Sequence, residues 1–395
     1  MSEMTDTAAH PIARLLAERG PVPFDAAAGR ELAASLATAT VVGLGESTRF
    51  SREIAAIQEQ LFRELVSEHG FRVLALQDSA DVAARLDAYV RAGAGTAEEA
   101  LATAWRPNRT AQVAAVLEWI RDFNRRNEND RIRVIAVKPF QATTADYDTV
   151  LDAVRAVSVD RIAEVAAIFD VIRTAHATDE HVQRARGMYS GAPFAEQARA
   201  AADVVNALPV PADARERMAL IVGYHENSVA GRGSFAGEAE IWAGSIIDDH
   251  ARHGQRIVYW DGIAHVSAAP FTLGMAAGEG AQPTIGSVLH ARFGDGYAAV
   301  AIGFDHGDLG VVVVPPAAPD FLDHELSTAD APVHWVDLRP EPVRAVTRVP
   351  AKMRVIAGVY DPARDESAYM TVDSLSDSFG VLVHVRSASA VTWLA

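Results

Sequence analysis

The feature that most constrains the fold is a short apolar run that stops at a glycine and is followed by charged residues. Residues 41–44 are apolar, Gly45 breaks the run, and Glu46 follows it. A run of this length bounded by turn residues is typical of a buried β-strand. Ser51 can cap the next segment, 54–69, whose apolar residues recur at helical spacing. The sequence therefore predicts a strand that turns directly into a helix.

The same alternation recurs along the chain. Apolar runs at 71–76, 131–137 and 256–260 predict three further strands, and the segments between them have helical periodicity. Strands that alternate with helices are typical of an α/β fold with a parallel sheet. We therefore predict a single α/β domain over residues 1–395, with a central, mostly parallel sheet flanked by helices. A helical lobe, 143–254, is expected to be inserted between strands.

Composition and charge argue against several kinds of binding partner and favour one cellular location. The chain of 395 residues has a formal net charge of -16, which argues against binding to nucleic acid or to an anionic membrane. It contains no cysteine, so it has no disulfides and no thiolate nucleophile, as is usual in a reducing cytoplasm. The first residues show no signal-peptide pattern. We expect a cytoplasmic protein.

No cofactor is predicted from the motifs. The chain has 13 histidines, but none forms the helical His-x-x-x-His pair with an adjoining carboxylate that binds zinc. The glycines form neither a phosphate loop nor a dinucleotide fingerprint. We therefore expect no catalytic metal and no nucleotide cofactor.

Polar residues follow each of the four predicted strands. Glu46 and Arg49 follow the first strand, and Gln77 with Asp78 follows the second. Lys138, one of two lysines in the chain, follows the third strand, and His265 comes shortly after the fourth. In open α/β sheets, ligands bind outside the carboxyl ends of the strands. These residues are therefore the candidates for an active site.

The same stretches carry a resemblance to a known family. Residues 45–53, Gly-Glu-Ser-Thr-Arg-Phe-Ser-Arg-Glu, resemble the Gly-Glu-(small)-x-His-Gly-(Thr/Ser)-x-Glu signature of the erythromycin esterase-like family. That family includes macrolide-inactivating hydrolases and proteins encoded in biosynthetic clusters. Further similar positions follow in order: Trp105-Arg106, Glu118-Trp119-Ile120-Arg121, Trp260 with Ala264-His265-Val266, Ile285-Gly286, Phe293-Gly294-Asp295, Tyr360 and Phe379. The resemblance implies the erythromycin esterase-like α/β fold and an active site at the strand ends.

The departures from the family pattern lie where its chemistry is expected. Arg49 stands at the position of the family's catalytic histidine, Gln77 at that of a glutamate, and Lys138 near that of an aspartate. Gly262 and Ile263 replace a histidine and an asparagine. An arginine remains protonated, so it cannot deprotonate water as histidine does. The first three changes add positive charge, and the resemblance therefore implies a pocket for an anionic group such as sulfate, phosphate or carboxylate.

These considerations predict a cofactor-independent enzyme of secondary-metabolite biosynthesis that binds an anionic small molecule. It would promote the departure of a sulfate- or phosphate-type group by intramolecular displacement, ring closure or elimination. Arginine and lysine would stabilise the leaving anion, and a carboxylate, with or without His265, would accept the proton. The predicted catalytic residues are Glu46, Arg49, Lys138 and His265, and the predicted substrate-binding residues are Gln77, Asp78, Arg106, His225 and Glu226.

Two other functions are left open by the sequence. The first is an esterase-type hydrolase in which Glu46 and His265 activate water. The second is a non-catalytic homologue that binds a protein partner subunit. For individual residues the structural alternatives are an ion pair between Glu46 and Arg49 that only holds the turn, and a helix-capping role for Asp78.

Overall fold

The computed structural model describes residues 10–91, 93–139, 141–232, 236–274 and 280–394. The chain divides into two compact units. The first comprises Met1–Asp78, Val82–Val137 and Ala239–Ala395, and the second comprises Ser79–Asp81 and Lys138–Glu238.

The strands of the described chain are β1 (Val22–Pro23), β2 (Val41–Glu46), β3 (Phe71–Ser79), β4 (Arg133–Lys138), β5 (Arg256–Gly262), β6 (Thr272–Leu273), β7 (Tyr297–Asp308), β8 (Val313–Val314), β9 (Val333–Asp337), β10 (Ala351–Arg354), β11 (Tyr369–Val372) and β12 (Val381–Ser389). The α-helices are α1 (Pro11–Arg19), α2 (Ala26–Ser35), α3 (Arg52–His69), α4 (Ala80–Val90), α5 (Ala97–Leu101), α6 (Ala111–Arg126), α7 (Thr144–Val157), α8 (Val159–Ile172), α9 (Glu180–Ala185), α10 (Phe194–Asn206), α11 (Ala212–Glu226), α12 (Val229–Arg232), α13 (Ala236–His253), α14 (Ile263–Val266), α15 (Ile285–Phe293), α16 (Leu322–Ser327), α17 (Glu341–Thr347) and α18 (Leu375–Ser378).

A mixed sheet forms the centre of the first unit. Its strand order is β1-β9-β12-β7-β2-β5-β3-β4, and β8 pairs with β7. The pairs β12–β7, β7–β2, β2–β5 and β5–β3 are parallel, whereas β9 pairs antiparallel with both β12 and β1. A smaller antiparallel sheet consists of β10, β11 and β6. The predicted α/β class with a mostly parallel central sheet is therefore confirmed.

The predicted strand-to-helix unit at β2 and α3 is present. The first five residues of β2 are buried, because β5 and β7 flank the strand and helices cover it. The Ser51 hydroxyl accepts a hydrogen bond from the Ile54 backbone N–H at 3.2 Å and so caps α3. The helix ends at Gly70, whose φ of 70° is the left-handed conformation typical of a helix C-terminus.

Two glycines in β2 allow α14 to pack directly on the strand. A Cβ atom at Gly43 would lie 2.7 Å from Cγ1 of Val266, and one at Gly45 would lie 2.9 Å from the Cα of Ile263. Neither distance is compatible with a side chain, so the close approach requires glycine at both positions. Because α14 carries His265, this packing also fixes the position of that histidine.

The second unit is helical and has its own core. Its helices pack around buried aromatic and aliphatic side chains that include Tyr147, Phe169 and Phe194. The helical lobe was predicted over residues 143–254, whereas the second unit of the structure ends at Glu238. The insertion of such a lobe into a single domain stays a prediction. The remainder of α13 belongs to the first unit, where Asp249 pairs with Arg133 at 2.6 Å. None of the helices within the described residues has both the length and the apolar character needed to span a membrane.

Candidate functional site

Two carboxylates and one guanidinium meet at the carboxyl ends of β2 and β5. Nε of Arg49 lies 3.0 Å from Oε1 of Glu46, and Nη2 lies 2.6 Å from Oδ1 of Asp261. Nη2 also donates a hydrogen bond to the side-chain oxygen of Gln77. The guanidinium carbon of Arg49 lies over the Trp105 ring, 4.6 Å from the ring centroid. Polar contacts and the Trp105 ring therefore hold the Arg49 side chain in place.

Asp261 anchors this arrangement, and the sequence analysis missed it. It is buried, and its oxygens accept hydrogen bonds from the Tyr259 hydroxyl at 2.6 Å and from the Gly262 N–H at 2.7 Å. Burial and the nearby Asp261 charge raise the pKa of Tyr259 well above its usual value, so the phenol remains a donor. Asp261 directly follows the fourth predicted strand, and this position could have identified it as a site residue.

Glu46 is the titrating group of the site. Burial raises its pKa from 4.5 to about 7, although Arg49 and a hydrogen bond from Gln58 act to lower it, and Asp261 raises it further. The Gln58 amide donates to Oε2, and its hydrogen bond to the Leu44 carbonyl at 3.2 Å fixes its orientation. A carboxylic acid with this pKa can take up or release a proton near neutral pH.

His265 and Arg49 border the same space. A Cβ atom at Gly262 would lie 3.5 Å from Nη2 of Arg49 and 3.7 Å from Cδ2 of His265. The His265 side chain is half-buried on α14, with its ring centroid 5.5 Å from that of Trp242. The structure therefore brings Glu46, Arg49 and His265 into one neighbourhood.

A cleft opens beside this cluster. It encloses about 570 Å³, part of which is open to solvent, and Glu46, Arg49, Gln58 and Gln77 line its polar end. Its other walls come from α3, α6 and neighbouring segments, and they are mainly apolar: Ile54, Ala55, Leu76, Pro107, Val113, Val116, Trp260 and Val391. The combination of a polar end and apolar walls is typical of a small-molecule site.

Asp78 and Arg106 make structural contacts near the cleft. Oδ2 of Asp78 accepts hydrogen bonds from the Trp105 N–H and the Asn108 amide, both at 2.9 Å. It thereby holds the 3₁₀ turn Arg106–Asn108. Arg106 itself is exposed, and its guanidinium lies 5.5 Å from the centroid of the Trp393 ring. Substrate binding by Asp78 and Arg106 stays a prediction.

Three predicted site residues lie in the second unit. Lys138 is the first residue of the segment Lys138–Glu238 of this unit, and its side chain is half-buried. Burial and the charge of Lys138 lower the pKa of His181. His225 is buried in the helical core, where its Nε2 lies 2.8 Å from the Tyr147 hydroxyl and burial lowers its pKa to about 3. Glu226 pairs with Arg199 at 2.7 Å on the surface. The functional roles predicted for Lys138, His225 and Glu226 remain predictions.

The described side chains include no group of three or more histidine, aspartate or glutamate residues placed to share a metal ion. In the cluster itself, the Arg49 guanidinium contacts both Glu46 and Asp261. The chemistry that these residues can supply is proton transfer by Glu46 and hydrogen-bond donation by Arg49.

Comparison with known proteins supports the resemblance seen in the sequence. The erythromycin esterase family model matches residues 66–388, a range that begins after the turn with Glu46 and Arg49. No curated protein sequence matches the chain.

Solved structures of similar fold cover nearly the whole chain. A Bacillus cereus protein is 17% identical, with a TM-score of 0.65 over 98% of this chain and 99% of its own. A succinoglycan biosynthesis protein is 16% identical, with a TM-score of 0.64 over 97% and 98%. A mutant of the erythromycin esterase EreC in its open conformation is 16% identical, with a TM-score of 0.55 over 92% and 95%. At such identities these similarities show the fold alone.

Proposed function

The chain belongs to the erythromycin esterase family, and from this premise we propose that it is an enzyme acting on a small molecule bound beside Glu46 and Arg49. The proposed reaction expels a sulfate- or phosphate-type group by ring closure, displacement or elimination. The setting would be secondary-metabolite biosynthesis, and the similar fold of a succinoglycan biosynthesis protein is consistent with a biosynthetic role.

The observation that carries the proposal is the 3.0 Å contact between Glu46 and Arg49, together with the pKa of about 7 at Glu46. In a ring closure, the substrate's nucleophile gives its proton to Glu46 and forms a bond to the reacting carbon. The carbon–oxygen bond breaks, and the leaving group keeps the electron pair. One base and one cation suffice for this reaction, because the substrate provides the nucleophile.

The contact also couples the two roles. While Glu46 is ionised, its charge offsets that of Arg49, as does the buried charge of Asp261. When Glu46 takes the proton, that negative charge disappears at the moment when the leaving group becomes an anion. Arg49 then interacts more strongly with the departing oxygen, since one of its two compensating charges has gone. Proton uptake and anion departure would therefore favour each other.

Ester hydrolysis is the second candidate, favoured by the shared space between Arg49 and His265. In this reaction Glu46 and His265 activate water, Glu46 takes the proton, and Arg49 donates to the oxyanion of the tetrahedral intermediate. The two reactions differ in whether oxygen from water is incorporated into the organic product. Hydrolysis in ¹⁸O-labelled water places the label in the carboxylic acid, whereas ring closure leaves the organic product unlabelled.

The test is a thermal-shift titration with sulfate and phosphate at matched ionic strength, at about pH 6 and about pH 8. If Glu46 must be protonated for strong anion binding, both ions should stabilise the wild type more at the lower pH. Arg49→Gln should lose this stabilisation. Arg14→Gln, which changes an exposed arginine with 84% side-chain accessibility, should retain it. No stabilisation of the wild type by either anion at either pH would remove the basis for the leaving-group reaction.

A further inference from the structure

Neither the backbone nor the packing requires glycine at position 262. Gly262 has φ of -60° and ψ of 147°, a conformation open to any residue. A Cβ atom there would have its nearest neighbours at 3.5, 3.7 and 3.8 Å, all ordinary contact distances. At Gly43 and Gly45, in contrast, a Cβ atom would collide with Val266 and other atoms. The fold therefore has room for a methyl group at position 262, beside Arg49 and His265.

The atoms around this space are suited to an anion. The nearest neighbours of the absent Cβ are the two terminal nitrogens of Arg49 and Cδ2 of His265. Nη2 of Arg49 is already bonded to Asp261 and Gln77. Within the described part of the chain, the polar contacts of Arg49 are made by Nε and Nη2, and none is made by Nη1. A cationic nitrogen with unused donor capacity thus borders a space left open by a glycine.

We propose that the space over Gly262, between the Arg49 guanidinium and the His265 imidazole, is the subsite that receives the oxyanion of the leaving group. The inference rests on the proposed function and adds to it the location of the anion. It also makes residue 262 the position that sets the size of the group accepted there. An oxygen atom of a bound sulfate or phosphate ester would accept a hydrogen bond from Nη1 there, and a side chain at position 262 would compete for the same volume.

Gly262→Ala tests the subsite without a change in charge. The added methyl group makes only ordinary contacts, so the variant should fold with a melting temperature equal to or above that of the wild type. Its affinity for sulfate, measured by calorimetric titration at about pH 6, should fall about tenfold or more. Gly244→Ala is the matched control, because a Cβ atom there would have no neighbour within 4 Å and Gly244 lies inside α13.

The imidazole of His265 provides a second measurement. In the wild type, sulfate should shift the ¹⁵N-edited NMR signals of this ring, assigned by their absence in His265→Gln. If sulfate binds to the wild type and depends on Arg49, but Gly262→Ala binds it equally well or the His265 signals do not move, the subsite is wrong and the proposed function stands. If sulfate and phosphate fail to bind to the wild type, the proposed function fails as well. Weaker binding in Gly262→Ala with unchanged binding in Gly244→Ala would support the subsite.

Discussion

Replacing Glu46 by glutamine should change the pH dependence of stability in a defined direction. Burial raises the pKa of Glu46 from 4.5 to about 7 in the folded protein, so the folded state keeps a proton that the unfolded state releases. This contribution to stability is complete below pH 4.5 and is lost as the pH rises through about 7. Glutamine does not titrate, so Glu46→Gln does not lose this stability as the pH rises.

The magnitude follows from the size of the pKa shift. A rise from 4.5 to about 7 corresponds to about 3 kcal/mol between the two protonation states. The Glu46 side chain is only 11% exposed, so screening by solvent reduces this figure little. The free energy of unfolding of Glu46→Gln, minus that of the wild type, should therefore rise by about 3 kcal/mol between about pH 4 and about pH 8. A constant offset from altered hydrogen bonds does not affect this slope.

Urea unfolding monitored by tryptophan fluorescence is the appropriate assay. All six tryptophans lie within the segments of the first unit, which also contains Glu46. Glu53→Gln is the control of opposite sign. Burial acts to raise the pKa of Glu53, but hydrogen bonds from Ser389 and Ser51 leave it lowered. Its difference curve should therefore fall as the pH rises. If the free energies of unfolding of Glu46→Gln and the wild type change in parallel with pH, burial does not disfavour ionised Glu46. The proposal that Glu46 is a base with a raised pKa would then be wrong.

Three further changes test the Arg49 cation, the buried carboxyl group of Asp323 and the packing of Trp393. Arg49→Gln should raise the pKa of Glu46 further, by about one to three units, because the adjacent cation acts to lower it. The Glu46 carboxyl signal in ¹³C NMR measures this midpoint, and Arg52→Gln, which removes a cation with 60% side-chain exposure, should leave it unchanged. For Asp323→Asn, the free energy of unfolding minus that of the wild type should increase by about 4 kcal/mol from about pH 4 to about pH 8. The reason is that burial raises the pKa of Asp323 from 3.8 to about 7, and asparagine does not titrate. The same urea assay reports it, and a flat difference would contradict the buried position. Trp393→Ala should lower the free energy of unfolding by about 1–3 kcal/mol, since its ring packs 5.9 Å from that of Phe50 and under the Arg106 guanidinium. If Trp393→Ala unfolds at the same urea concentration as the wild type, these contacts contribute little to stability.

Local signals in the sequence were sufficient for the elements that carry the site. The start of α3 could be predicted because Ser51 caps it through a bond to a residue three positions away. The end of α3 could be predicted because Gly70 adopts the left-handed conformation that glycine favours. Both interactions lie within a few residues of chain, and short-range patterns report them directly.

Interactions between distant strands could not be predicted in this way. The polar residues and the glycine of Asp305-His306-Gly307-Asp308 favour a turn, yet in the structure these residues form the end of β7. That strand continues because Gly307 pairs with Ala388 of β12, and no local pattern shows such a pairing. The same limit applies to Asp261, since its contact with Arg49 spans 212 positions of the chain.

The same limit applies to the charge of the site, because a count of charged residues does not show which of them form ion pairs. An arginine in place of a histidine implied a pocket with surplus positive charge, yet Arg49 lies against two carboxylates, Glu46 and Asp261. A cation compensated twice gains little from a permanently bound anion. It gains more when one carboxylate is neutralised, and Glu46, with a pKa of about 7, can be neutralised near physiological pH. The proposed site should therefore bind anions strongly only when Glu46 holds a proton, which is the state that follows proton transfer from the substrate.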